Sequence, residues 1–288
     1  MSSGKIVLIF LFCFISNIFL TNPVKSSNIK SEDTYKITRV VALTSLSADL
    51  INTISKDALV GIPGSSILKK NKEFDSLPIV SSGRMPPDLE KILSLKPDLV
   101  VGAKGFHDRP LSKLNSLGIS TLSTSISSLD DLDNLNKELA SKLNTSTKLL
   151  EDILVSCYPK NKNKNKNKNK NLIVLVSSKP MLSPNKDSWA GNLISSFKLN
   201  NLASEITNKT EFKGYVNLSP EWLIKYQPEN ILVIKTPGSD ISQYSSINIW
   251  EKLEAVKNNK IYTFDYYGLI NAGGIKAINK ACQKLSSI

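Results

Sequence analysis

Histidine is nearly missing from this sequence: its 288 residues contain one, His107. A site that grips bare zinc or manganese through several histidines plus carboxylates cannot be assembled from a single imidazole. A Ser-His-Asp or Cys-His arrangement would have to pass through that same residue, and neither Cys157 nor Cys282 sits in a loop suited to it. The phosphate loop, G-x-G-x-x-G, G-x-S-x-G and H-E-x-x-H are also absent, and Gly273-Gly274 is an isolated pair that reads as a turn. The expectation is a protein that is not an enzyme and carries no cofactor. Cysteine is scarce too. Cys13 lies in an apolar leader behind Leu11 and Phe12, without the small residues of a lipoprotein cleavage site. Cys157 and Cys282 are too few for a disulfide scaffold. Export permits them to pair, but the helix-like patterns around both favour small buried hydrophobes.

Long apolar runs are lacking as well. The longest, Ile6–Leu20, is fifteen residues broken by Cys13, Ser16 and Asn17, short of the roughly 20 that span a bilayer. With Lys5 before it and small residues at Val24 and Ser26, residues 1–26 read as a secretory signal cut after Ser26, an uncleaved anchor being the alternative. The net charge of +12 raises the question of nucleic acid, yet six of the lysines alternate with asparagine between Lys160 and Lys170. That tract, residues 159–171, has no apolar face and reads as a solvated loop. Without a basic helix face or a stacking motif, no nucleic-acid partner is expected. Hydrophobic content of 41% and charge of 22% suit a globular protein with a real core.

What is present is rhythm. "RVVAL" is a buried strand leading into "TSLSADLINTI", a helix; "DALVGIP" is a second strand. "PPDLEKILSLKPDLVVGA" gives a helix stopped by Pro97 and then a strand, and "SKLNSLGISTLST" repeats the scheme, with Gly118 at the stop. Strand and helix alternate over residues 36–127, which predicts a parallel α/β sheet. From Ser128 to Tyr158 leucines recur at three- and four-residue spacing, predicting one long helix whose polar stretch "NTSTK" (residues 144–148) is its weak point. The α/β rhythm resumes over residues 172–288. Within it, "SPEWLIKYQPENILV" (residues 219–233) lies on "DLEKILSLKPDLVVG" (residues 88–102) when shifted by 131 positions. Glu90 meets Glu221, and Pro97 meets Pro228. Each acid falls in a first helical turn, where the helix dipole favours an anion.

Taken in order, "RVVALTSLSADLINTI", "DLEKILSLKPDLVVG", "LSPEWLIKYQPENILVI" and "WEKLEAVKNNKIYTFD" resemble the helical-backbone substrate-binding proteins of ABC importers for ferric siderophores, haem and cobalamin, from about Arg39 onward. The resemblance implies an α/β fold of two Rossmann-like lobes with parallel sheets, joined by one long rigid helix, with ligand between the lobes. It implies a periplasmic location, a monomer, and docking of Glu90 and Glu221 against a membrane permease. A ferric siderophore or related iron chelate is the first expectation, and haem or cobalamin the next. A non-transport receptor or sensor with the same fold is the alternative of another kind. Open α/β sheets bind ligands past the C-terminal ends of their strands. That rule nominates Thr44, Ser45 and Ser47 in one loop, and Lys104, Phe106, His107 and Arg109 in another. In the second lobe it nominates Lys179, Met181 and Trp189, then Lys235, then Tyr266 and Tyr267. Aromatic walls suit a planar or catechol ligand, and cations suit an anionic one. Trp189 and Met181 read equally well as core, and the lysines as surface; His107 or Tyr266 could reach a haem iron.

Overall fold

The alternation of side chains along each apolar run decides which side of its sheet that run feeds. In the computed structural model, which describes residues 36–82, 85–158, 170–207, 212–236 and 241–288, this alternation organises the molecule. The expected signal segment, and residues 159–169 of the Lys-Asn loop expected over 159–171, lie outside the described residues, while Asn171 already begins a strand. Strands β1 (Val40–Ala42), β2 (Leu59–Gly64), β3 (Ile79–Ser82), β4 (Leu99–Ala103) and β5 (Ser120–Thr124) form a parallel sheet in the order β3-β2-β1-β4-β5. Helices α1 (Ser45–Ile54), α2 (Leu89–Ser94) and α3 (Asp108–Ser116) connect them. Then come α4 (Leu129–Lys142) and α5 (Lys148–Ile153).

The C-terminal half contains β6 (Asn171–Leu175), β7 (Ser177–Ser178), β8 (Met181–Pro184), α6 (Trp189–Ser196), β9 (Asn200–Asn201), β10 (Tyr215–Asn217) and α7 (Pro220–Tyr226). After these follow β11 (Asn230–Lys235), α8 (Ser242–Ser245), α9 (Glu254–Lys257), β12 (Ile261–Asp265), α10 (Tyr266–Leu269) and α11 (Ile275–Leu285). Its main sheet is parallel, in the order β12-β11-β6-β9. The sequence reading did not foresee a separate antiparallel sheet, β10-β8-β7, built on a hairpin that turns at Lys179-Pro180. Val40, Ala42, Leu99 and Val101 of the first sheet point into the same apolar cluster as Leu172, Val174, Leu232 and Ile234 of the second. Their neighbours face away, Val41 and Val100 into one outer cluster, Ile173 and Val233 into another. Residues 36–288 are one compact unit because the inner faces of both sheets share a core.

The repeated sequence unit is a repeated structural unit. α2 and β4, shifted by 131 residues, fall on α7 and β11, and each strand lies beside the first strand of its own sheet. Asp88 caps α2 by accepting from the Lys91 amide at 3.0 Å, and Ser219 caps α7 through the Trp222 amide at 3.2 Å. Both helices end in a left-handed residue at the same offset, Lys96 (φ 47°) and Gln227 (φ 41°). Such a residue ends a helix by turning the chain, and the proline after each prevents its continuation. One position further, Asp98 accepts from the Thr38 and Arg39 amides. Glu229 faces the Asn171 amide at the start of β6.

The single long helix expected over residues 128–158 is corrected: the segment is two helices and a final 3-10 turn at Val155–Cys157. Asn144 adopts φ 51°, with its amide bonded to Ser141 O at 3.3 Å and the Thr145 amide bonded to Ala140 O at 2.9 Å. That is a Schellman stop, satisfying carbonyls a helix end would leave bare. The Thr145 hydroxyl then donates to Ile54 O at 2.9 Å, tying the turn to the end of α1. The reading of Cys157 and Cys282 as unpaired buried residues is corrected too. Both are buried, but they are bonded to each other, with Cα atoms 5.0 Å apart across a sequence separation of 125. Because α11 returns to pack on the end of the linking segment, the last helix is stapled to the entry of its own half. A second tie crosses between halves: Asp49 of α1 accepts from the Ile275 amide, the first of α11, at 2.7 Å. Burial holds the Asp49 carboxyl above its usual range, and this amide opposes the rise. A Cβ on Gly274 would stand 3.0 Å from the Asp49 carboxylate, so glycine admits the close approach.

Candidate functional site

Strand ends converge on a cavity of about 630 Å³ between the two halves, within the 300–1,000 Å³ usual for small-molecule sites. Its first wall and the turn after β12 lie where an open α/β sheet leaves a crevice beyond its strands. From the first half come Thr44, Ser45 and Ser47 after β1, Ser65 and Ser66 after β2, and Thr124 at the end of β5. Phe106 and His107 follow β4. The second half supplies Trp189 at the start of α6, Tyr267, and the turn Ile270–Gly273 after β12.

Hydroxyls dominate the first wall and bond among themselves. Thr44 donates to Ser47 Oγ at 2.7 Å while accepting from the Ser47 amide at 3.1 Å, and Ser45 Oγ donates to Ser65 Oγ at 2.7 Å. Such hydroxyls can rotate to meet a ligand acceptor or donor. Phe106 is 64% exposed and meets His107 edge-on at 4.8 Å, so its face is available to a guest. His107 itself is buried, and its Nδ1 accepts from the Ala103 amide at 2.9 Å. Burial pushes its pKa down, against the pull of Asp108. The ring is therefore neutral with its proton on Nε2, a donor and not a lone pair for iron. Gly102 makes this packing fit, since a Cβ there would sit 2.9 Å from the His107 Cβ. Across the cavity, Trp189 donates Nε1–H to Gly268 O at 2.9 Å. That bond fixes its ring against a turn where Gly268 has φ 98° and a Cβ would strike Ala277 O.

Of the nominated residues, the structure gathers Thr44, Ser45, Ser47, Phe106, His107, Trp189 and Tyr267 on this cavity. It does not gather the cations. Lys104, before α3, and Arg109, in its first turn, are exposed and absent from the lining. Lys179 stands in the β7–β8 hairpin, and Met181 on β8 is buried in the outer core of the second half. Tyr266 packs on the central core behind Tyr267. Lys235 faces a smaller pocket of about 170 Å³ instead, and Tyr267 lines both that pocket and the main cavity. No charged side chain lines the main cavity among the described residues. Missed by the sequence reading were Ser65, Ser66, Thr124 and the turn around Asn271. "GSS" directly after the strand "DALVGIP" was the signal available for the first two.

Glu90 and Glu221 are both exposed, each one residue into its helix. Hydrogen bonds from its own amide and from Ser219 hold the Glu221 carboxyl below the usual range, so it is charged at neutral pH. No helix among the described residues is long and apolar enough to cross a membrane.

A family model described as "Periplasmic binding protein" matches residues 40–267. An uncharacterized ABC transporter substrate-binding lipoprotein, YvrC, of Bacillus subtilis (strain 168) is 23% identical over 198 residues, 64% of this chain. This chain spans about 59% of the length of that curated relative. Among solved structures, the periplasmic vitamin B12 binding protein BtuF of Vibrio cholerae aligns with a TM-score of 0.60 at 18% identity, over 87% of this chain and 96% of its own. A possible iron-binding periplasmic solute-binding protein of Staphylococcus epidermidis ATCC 12228 aligns at 0.66 and 18% identity, over 88% and 98%. These likenesses bear out the two-halved α/β architecture.

Proposed function

We propose that this chain, which belongs to the periplasmic binding protein family, is the exported solute-binding component of an ABC importer and captures a metal chelate between its halves. The observation that carries this reading is the cavity of about 630 Å³, walled from both halves by hydroxyls and aromatics. A neutral wall of this kind suits a guest that brings its own metal ligands. A ferric siderophore or related iron complex is the first choice. Haem or cobalamin is the second, favoured by the exposed Phe106 ring and by Trp189 and Tyr267 among the lining residues. The Cys157–Cys282 bond supports an oxidising compartment, in keeping with the periplasm and with a leader at residues 1–26. Exposed Glu90 and Glu221, one on each repeated unit, are the docking acids for the two sides of a permease. The chain works as a monomer whose shared core resists hinge motion.

Native mass spectrometry of residues 27–288 mixed with a ferric hydroxamate, a ferric catecholate, haemin, cobalamin and free zinc tests this. One chelate retained at one-to-one stoichiometry is the expected result. Zinc retained alone, or nothing retained, counts against the reading.

A further inference from the structure

The smaller pocket is built unlike the main one. Lys235 and Asp265 are the last residues of β11 and β12 and pair in register across the two strands. Lys280 and Lys284 reach the same pocket from α11, four residues apart and therefore on one helix face. Like charges at that spacing destabilise a helix. Three lysines and one carboxylate line this pocket. Lys280 bonds to Asp265 at 2.7 Å, with both side chains well exposed. Lys284 is half-buried: its Nζ donates to Thr263 O and lies 5.0 Å over the Phe264 ring. Among the described residues it makes no ion pair, and neither does Lys235. Burial pushes the Lys284 pKa down, and Lys235 and Lys280 push the same way against Asp265. A second anion entering the pocket would relieve that repulsion.

We propose that this pocket is an oxyanion subsite of the main cavity, taking a carboxylate or phosphate carried on an arm of the chelate held there. Tyr267 belongs to the walls of both spaces, so an arm passing its ring reaches Lys235, Lys280 and Lys284 while the chelate's body stays among the hydroxyls and aromatics. The subsite rests on the chelate reading for its occupant but not for its chemistry. It makes that reading sharper: the guest is an anionic chelate, its charge held beside the neutral cavity.

Calorimetric titration with sodium citrate at low salt tests the subsite without any chelate. Wild type binds citrate. Lys235→Gln combined with Lys280→Gln, both at exposed positions, weakens binding at least about tenfold; Asp265→Asn strengthens it. The control Lys69→Gln with Lys70→Gln, which removes the same charge elsewhere, changes nothing. Absence of citrate binding, or equal loss in both double variants, overturns the subsite. The chelate retained in the mass spectrum must also lose affinity in the Lys235/Lys280 variant; unchanged affinity marks a free-anion site and overturns the shared-ligand proposal. Citrate bound with no chelate retained keeps the oxyanion chemistry and sinks the chelate function. A chelate retained with no citrate bound does the reverse.

Discussion

Reversing Glu90 and Glu221 together to lysine is expected to cut chelate uptake through the cognate permease by about a hundredfold, roughly tenfold for each reversed contact. Chelate affinity should stay within about twofold, since neither acid lines the cavity. The argument is geometric. Both acids are exposed at the second position of a short helix, in units that repeat down to their caps, left-handed stops and prolines. Helix stabilisation alone would require no such correspondence. Each single reversal should give an intermediate loss if both ends dock. Uptake by the double variant at the wild-type rate would mean that the acids serve only their helices, and would favour a receptor that needs no permease.

Replacing Cys157 and Cys282 with alanine is expected to destabilise the fold by about 2–5 kcal/mol, because the bond closes a long loop and so restricts the unfolded chain. For a chain of this length that corresponds to a fall in melting temperature of roughly 4–10 °C. Both sulfurs are buried where α11 meets the end of the linking segment. Losing the bond therefore loosens the closing helix, with Lys280, Lys284 and the Asp49 tie to Ile275 on it. Differential scanning calorimetry under oxidising and reducing conditions reads this out. Equal melting of the wild type and the double variant in oxidising buffer would show that the bond contributes nothing.

Much of the architecture was legible because it rests on local chemistry. The short unbroken apolar runs in "RVVAL", "DLVVGA" and "NLIVLV" marked the buried strands. The shift of 131 residues is a structural repeat visible in the amino-acid sequence itself. The linker was harder. Leucine spacing pauses only across "NTSTK", between Leu143 and Leu149, and the stop at that weak point depends on one asparagine entering the left-handed region and on Thr145 finding a carbonyl 91 residues away. The cysteine pair was hidden for the same reason, since only the return of α11 brings Cys282 to Cys157. In the cavity, the loop after β1 and the aromatics were found by the strand-end rule. The same rule overreached for Lys179 and Met181, because "KPMLSP" folds into a hairpin and not a crossing loop. Lys235 was rightly set at a strand end, but whether it faced the main cavity or the pocket beside it depended on α11, distant in sequence.

The central claim is that a chelate sits between the halves, against Trp189. Its most direct measurement is the tryptophan fluorescence of a Trp222→Phe, Trp250→Phe variant, in which Trp189 is the remaining tryptophan, titrated with the chelate retained by mass spectrometry. Saturable quenching that ends at one chelate per protein is the predicted result. A chelate bound one-to-one with Trp189 emission unchanged would place the ligand elsewhere and contradict the account.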